Sequence, residues 1–283
     1  KKVSKRTVAT TENEITWDYS TTPTKQGGVL KCRVDSKNKM NVFFINGFAS
    51  SNQKEFVDVL FACKTTFDGN EYPIVVIDNF NGGGSFILSA LFQEVLQPDM
   101  TARTFVSFKN DERVYKLIKP NVAGGSYQNP ATGQSFTTVE GLMEDAETDD
   151  FGNGVNHSRS KPALFMYSEL RGNMDTYKPR LKRNRKPTDI IVFTDSYSFS
   201  AGSIFTKGLK EAGSAIIVGY NGYPGSKKET FDIGQAPTNN WNSNLDLLGK
   251  DEYNRLIEKG IKYATMSAGE TYRLSDIDNG VKP

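Results

Sequence analysis

The amino-acid sequence predicts an α/β layered domain. Apolar runs of strand length, such as Ile74-Val75-Val76-Ile77 and Ile190-Ile191-Val192-Phe193, are continuous rather than alternating, as in strands buried on both faces. Both runs pass through a turn-rich loop straight into a segment with helical apolar spacing. At 283 residues, 37% hydrophobic and 24% charged, the chain can bury a sizeable core, which excludes disorder as its dominant state.

The elements follow in chain order. Residues 1–26 are polar and Thr-rich with a basic start and Pro23, and read as a linker or extended arm; the packed domain, 27–283, begins at Gly27-Gly28. Val29–Val34 and Asn41–Asn46 read as strands joined by the turn Asp35-Ser36-Lys37-Asn38. From Asn52 the period changes, with Phe56, Val57, Leu60, Phe61 and Cys63 at helical spacing and Ser51 or Asn52 as cap. Pro73–Asp78 is a buried-type strand leading into Asn79-Phe80-Asn81-Gly82-Gly83-Gly84 and then a helix with Ile87, Leu88, Leu91, Phe92, Val95 and Leu96 on one face. Thr188–Thr194 repeats the unit, passing through Asp195–Phe199 into a helix carrying Ile204, Phe205, Leu209 and Ala212; a strand at Ala215–Gly219 follows. Such alternation of strands and amphipathic helices defines the layered class. Residues 120–160 are rich in Gly, Asn, Ser, Thr and Asp, with order hinted only at Val139–Met143, and are expected to form a long surface excursion. A helix over Leu245–Lys259 and strands at Ile261–Met266 and Thr271–Leu274 close the chain.

Composition limits the partners. The net charge of +2 is too near balance to supply the electrostatic footprint of a nucleic-acid binder, and five basic residues within Arg180–Lys186 lack interleaved aromatics and are expected to be a solvated run. No apolar run reaches the roughly 18 residues that span a bilayer, and the opening Lys1-Lys2-Val3-Ser4 has no initiator Met or apolar leader, so a processed chain or excised piece with more sequence before it is expected. Cys32 and Cys63 can form one bridge if the fold brings them together. With one His and two distant Cys, no metal site and no cofactor are implied. Asn156-His157-Ser158 is a glycosylation sequon, which matters only if the protein is secreted.

The chemistry-bearing stretch is Asp195-Ser196-Tyr197-Ser198-Phe199-Ser200-Ala201-Gly202, between a buried strand and a helix. A serine there sits beside unpaired backbone N–H groups and the positive end of the helix dipole, the parts of an oxyanion hole. N-capping accounts for the same serines. Consecutive glycines at Gly82-Gly83-Gly84 let N–H groups converge on an anion or carbonyl oxygen, or simply make a tight turn.

Together these two pieces resemble the C-terminal-processing, or tail-specific, serine proteases. The resemblance is carried by Ile77-Asp78-Asn79-Phe80-Asn81-Gly82-Gly83-Gly84, by Ser198-Phe199-Ser200-Ala201-Gly202-Ser203 with Leu209-Lys210 and Ala215-Ile216-Ile217-Val218-Gly219 behind it, and by the closing Gly280-Val281-Lys282-Pro283. It covers about 27–283 and implies a crotonase-like α/β spiral, a polypeptide substrate and an acyl-enzyme at Ser200. Ser198 and Ser196 are the fallback nucleophiles; the implied oxyanion donors are the N–H of Ala201 and one from Gly82 or Gly83.

The general base departs from the family pattern. Where simple members carry a lysine, Tyr223-Pro224-Gly225 places a glycine, and Lys227 follows two positions late beside Lys228 and Glu229, which also fit a solvated lysine. The branch typified by chlamydial protease-like activity factor uses a His and a Glu; here Ile277-Asp278-Asn279-Gly280-Val281 offers Asp278, and His157, the only histidine, lies downstream of the glycine loop. Lys227 ranks first as base, a histidine in a missing N-terminal segment or chain next, and His157 third. Two other readings stay open: a catalytically silent relative that binds peptides or ligands, and a C-terminal fragment needing that absent histidine.

Overall fold

The computed structural model describes residues 15–23, 29–48, 53–99, 102, 104–150, 156–165, 185–195, 197–219, 239–240, 250–260, 265–266 and 269–272. In chain order the strands are β1 (Tyr19–Ser20), β2 (Leu30–Asp35), β3 (Met40–Ile45), β4 (Ile74–Asp78), β5 (Thr104–Phe108), β6 (Tyr127–Gln128), β7 (Glu147–Asp150), β8 (Asn156–Arg159), β9 (Ala163–Phe165), β10 (Ile190–Thr194), β11 (Ile216–Gly219), β12 (Asn239–Asn240), β13 (Thr265–Met266) and β14 (Gly269–Tyr272). The helices are α1 (Gln53–Phe67), α2 (Phe86–Leu96), α3 (Glu112–Ala123), α4 (Val139–Met143), α5 (Ala201–Glu211) and α6 (Lys250–Glu258). The chain divides into two compact units, Lys1–Ala102 with Glu169–Gln235, and Arg103–Ser168 with Ala236–Pro283.

The first unit is mixed α/β around a six-stranded sheet of order β1-β2-β3-β4-β10-β11. β1, β2 and β3 pair antiparallel, whereas β3, β4, β10 and β11 run parallel. The end of the polar arm thus supplies a strand, since Tyr19 pairs with Cys32. The β2–β3 turn forms where expected: Asp35 Oδ1 accepts from the Asn38 N–H at 3.0 Å, and Lys39 adopts a left-handed φ of 54°.

Phenylalanines knit the sheet to its helices. Phe43 of β3 meets Phe67 of α1 and Phe92 of α2 edge-on, with centroids 4.8 and 4.9 Å apart, and Phe92 stacks on Phe205 of α5 at 5.0 Å. All four are fully buried, so each contributes aromatic contact beyond its area. Cys32 of β2 and Cys63 of α1 form a disulfide with Cα atoms 6.0 Å apart.

Arg185 corrects the expectation for the basic run. Its guanidinium is buried, because Nη2 donates to the carbonyls of Phe67 and Asn70, each at 2.7 Å, at the C-terminal end of α1 where the helix dipole favours a cation. The run before it, 180–184, lies outside the described residues.

The second unit carries a four-stranded antiparallel sheet of order β14-β5-β9-β6 and the hairpin β7–β8. Its core gathers Phe108, Val114, Ile118, Val122, Tyr127, Val139, Leu142, Met143 and Ala163. Residues of the expected excursion, 120–160, therefore furnish part of a core, built from elements only two to five residues long after α3 ends. Near the end of the chain, α6 falls within the helix expected over Leu245–Lys259, β13 within the strand expected at Ile261–Met266, and β14 overlaps the strand expected at Thr271–Leu274; residues 245–249, 261–264 and 273–274 lie outside the described residues. Among the described residues no helix is long and apolar enough to cross a membrane.

Opening the disulfide with Cys32→Ala and Cys63→Ala is expected to cost roughly 2–4 kcal/mol, the range for a closed loop of about 31 residues. Urea denaturation of the double variant beside the oxidised parent measures it.

Candidate active site

β4 and β10 are parallel neighbours whose register sets Asp78 beside Thr194. Both strands therefore release their loops at the same carboxyl edge, the edge at which open α/β sheets bind ligands. One loop runs 79–85 into α2; the other runs 195–200 into α5.

Buried carboxylates fasten the two loops. Asp78, fully buried, accepts from Asn81 Nδ2 at 2.6 Å, from Thr194 Oγ1 at 3.2 Å and from Ser198 Oγ at 3.4 Å. Asp195, also fully buried, accepts from the backbone N–H of Phe80 at 2.9 Å and of Tyr197 at 3.0 Å. A direct backbone bond completes the joint, Phe199 N–H donating to Asn81 O at 2.8 Å. Burial raises the Asp78 carboxyl to about 7 against the pull of its three donors, and the nearby Asp195 charge pushes the same way.

Ser200 sits at the meeting point. It precedes α5 with φ 52° and ψ −120°, a conformation that L residues rarely adopt, and its side chain makes no capping bond. N-capping is thus not what this serine does. The strained turn is held from below by glycines: a Cβ on Gly83, itself at φ 87°, would lie 2.6 Å from Phe199 O and 2.7 Å from Ser200 Cβ. A Cβ on Gly202 would lie 2.8 Å from Asn81 Cγ. Only residues without side chains allow the two loops to close this far.

The backbone N–H groups are now distinguishable. Gly83 N–H donates to Asn81 Oδ1 at 3.0 Å, which occupies it. The N–H groups of Gly82 and Ala201 meet no acceptor among the described residues, and the Cβ direction of Gly82 points into open space. Ser198 Oγ, by contrast, is turned inward to Asp78 and the residue is buried.

The structure thus brings Ser200, Ala201, Gly82, Gly83 and Ser198 together. His157 lies on β8, a strand rather than an irregular loop, paired in register with Asp149, and belongs to the second unit. Lys227, Asp278 and Ser196 lie outside the described residues. Among the described residues no three His, Cys, Asp or Glu side chains gather as a metal site. A cleft of about 470 Å³ occurs on the second unit, lined by Glu112, Tyr115, Lys116, Lys119 and Glu140 of α3 and α4, and contains none of the predicted site residues. Sequence reading missed the roles of Asp78, Asn81 and Asp195; the available signal was an acidic residue at the end of each of two otherwise apolar strands.

No family model matches the chain, and no curated protein matches it. Among solved structures, mature CPAF complexed with lactacystin is similar at 14% identity over 88% of this chain and 47% of that chain, with a TM-score of 0.45. The photosystem II D1 C-terminal processing protease aligns at 11% identity over 63% and 29% of the two chains, TM-score 0.30. A lipoprotein from Streptococcus agalactiae aligns at 8% over 67% and 48%, TM-score 0.37. The chain spans less than half the length of each, and the likeness is partial in every case.

A pH dependence follows from Asp78. Between about pH 4, where an unfolded carboxyl ionises, and about 7, the folded chain retains a proton that the unfolded chain has released. Stability is therefore expected to fall as pH rises through this window, by an amount on the order of a few kcal/mol, and to level off above it. Urea midpoints from pH 4 to 8 check this: Asp78→Asn should flatten the slope, and an identical slope in the variant contradicts it.

Proposed function

We propose that this chain is the catalytic part of a serine peptidase of the tail-specific type, with a crotonase-like fold, acting on unstructured polypeptide through an acyl-enzyme at Ser200. The observation that carries the reading is Ser200 itself: a half-buried, uncapped serine in a left-handed conformation at the head of α5, pressed against a glycine that nothing larger can replace. Strain of this kind costs on the order of 1–3 kcal/mol and persists where the surroundings enforce it, as in the strand-to-helix turns that present nucleophilic serines.

In this mechanism Ser200 Oγ attacks the substrate carbonyl carbon while a base takes its proton. The carbonyl oxygen becomes negative and accepts from the N–H groups of Ala201 and Gly82, neither of which meets an acceptor among the described residues. Gly83 shapes the turn instead of donating, because its N–H is committed to Asn81. The base returns the proton to the leaving amine as the C–N bond breaks, and water then hydrolyses the ester by the same route. Lys227 is the first choice for the base, a histidine from an N-terminal segment or separate chain the second, and His157 the third. The Cys32–Cys63 disulfide supports residence in an oxidising compartment, consistent with a secreted protein.

A serine-directed fluorophosphonate, followed by mapping of the labelled peptide, tests the reading. Label is expected on Ser200, and Ser200→Ala is expected to lower hydrolysis of an unfolded protein substrate by at least about 10³-fold with little change in stability. Label on Ser198 instead would move the nucleophile. Absence of both label and hydrolysis, in this chain and in a longer precursor, would favour a silent peptide-binding relative.

Gly83→Ala is expected to lower kcat by roughly 10²-fold or more, since the added Cβ must displace Phe199 O or Ser200. Steady-state kinetics on the same substrate, with circular dichroism to confirm folding, measure the effect.

A further inference from the structure

Two aromatic rings stand exposed beside the serine, more so than any other described ring of the first unit. Phe80 is 65% and Tyr197 63% exposed, yet Phe43, Phe48, Phe67, Phe92 and Phe205 of the same unit have no exposure at all. The two rings touch each other, centroids 5.2 Å apart and planes 31° from parallel. Phe80 also takes φ 51°, so a bulky residue is both strained and left in water.

Neither position is accidental in its support. The single buried carboxylate of Asp195 accepts the backbone N–H of Phe80 through one oxygen and that of Tyr197 through the other, fixing the two residues side by side. Tyr197 is three residues before Ser200, and Phe80 three before Gly83, whose Cβ position would lie 2.7 Å from Ser200 Cβ. Three residues of chain reach at most about 10 Å, so the rings lie within about three residues of the bond that an extended substrate would present to Ser200.

We propose that Phe80 and Tyr197, held by Asp195, form an aromatic shelf that receives an apolar side chain of the polypeptide substrate close to the cleaved bond. The shelf rests on the peptidase reading for its substrate and extends it to specificity. A nucleobase is the other common guest of stacked rings, but it brings phosphates that need Lys or Arg. The loops 79–85 and 195–200 contain neither, and two buried carboxylates lie at their base.

The test measures binding without turnover. In the Ser200→Ala background, fluorescence anisotropy compares a labelled Gly/Ser host peptide bearing a central Leu with its all-polar counterpart, across Phe80→Ala, Tyr197→Ala and Tyr197→Phe. Each alanine variant is expected to bind the Leu peptide roughly tenfold more weakly, with the polar peptide little changed and Tyr197→Phe close to the parent. Thermal melts should stay unchanged, since both rings are exposed. Unchanged Leu-peptide affinity in both alanine variants, or equal losses for the two peptides, overturns the shelf. Fluorophosphonate labelling of the parent reports separately on Ser200. Labelled Ser200 with indifferent Leu binding sinks the shelf alone; a Leu preference that needs both rings, with neither label nor hydrolysis in this chain or in a longer precursor, keeps the shelf and sinks the peptidase reading.

Discussion

Asp78 and Thr194 face each other at the ends of β4 and β10, and the hydrogen bond between them fixes a common origin for both loops of the site. From that origin each further contact is short-range. Asp78 reaches forward to Asn81 and across to Ser198, Asn81 turns its amide oxygen to Gly83 N–H and its carbonyl to Phe199 N–H, and the backbones close until no side chain fits at Gly83 or Gly202. Displacing β10 by one residue would turn Thr194 away from Asp78, because side chains alternate along a strand. The parallel register is the constraint from which the position of Ser200 descends.

The same arrangement has an electrostatic cost. Two carboxylates are fully buried at adjacent strand ends, and among the described residues neither forms an ion pair. Asp195 accepts from two backbone N–H groups; Asp78 is held by one amide and two hydroxyls, and its burial outweighs them in its titration. The fold tolerates this because both groups tie loops that the sheet alone leaves unspecified.

Much of the first unit is legible in the sequence. Unbroken apolar runs place β4, β10 and β11 within a few residues of their expected ends, although only alternate residues of β4 and β10 are fully buried and β11 is partly exposed, and the glycine and serine clusters mark the loops. β1 is hidden because two residues carry no period, and Tyr19–Ser20 is held by pairing to β2 rather than by its own pattern. In the second unit, Val114, Ile118 and Val122 recur at helical spacing on α3, but the neighbouring short strands and turn-rich links carry too few residues to announce a core. Within the site, residue types pointed to the serine turn. The left-handed φ of Ser200 and the clamp at Asp195 involve contacts more than a hundred residues apart in sequence, alongside two local bonds, Gly83 N–H to Asn81 and Tyr197 N–H to Asp195.

That separation bears on when the site can exist during synthesis. Thr194 and Asp78 are 116 positions apart, and the 66 residues Arg103–Ser168 between them belong to the other unit. A chain emerging from the ribosome has made β3, β4 and the glycine loop long before the strand that completes them, and pairing across such a gap is slow to form. Until β10 slots in, Ser200 has neither its strained turn nor its floor at Gly83. The layout therefore delays assembly of the serine turn in nascent protein until β10, which follows β4 by more than a hundred residues, has been made and has paired.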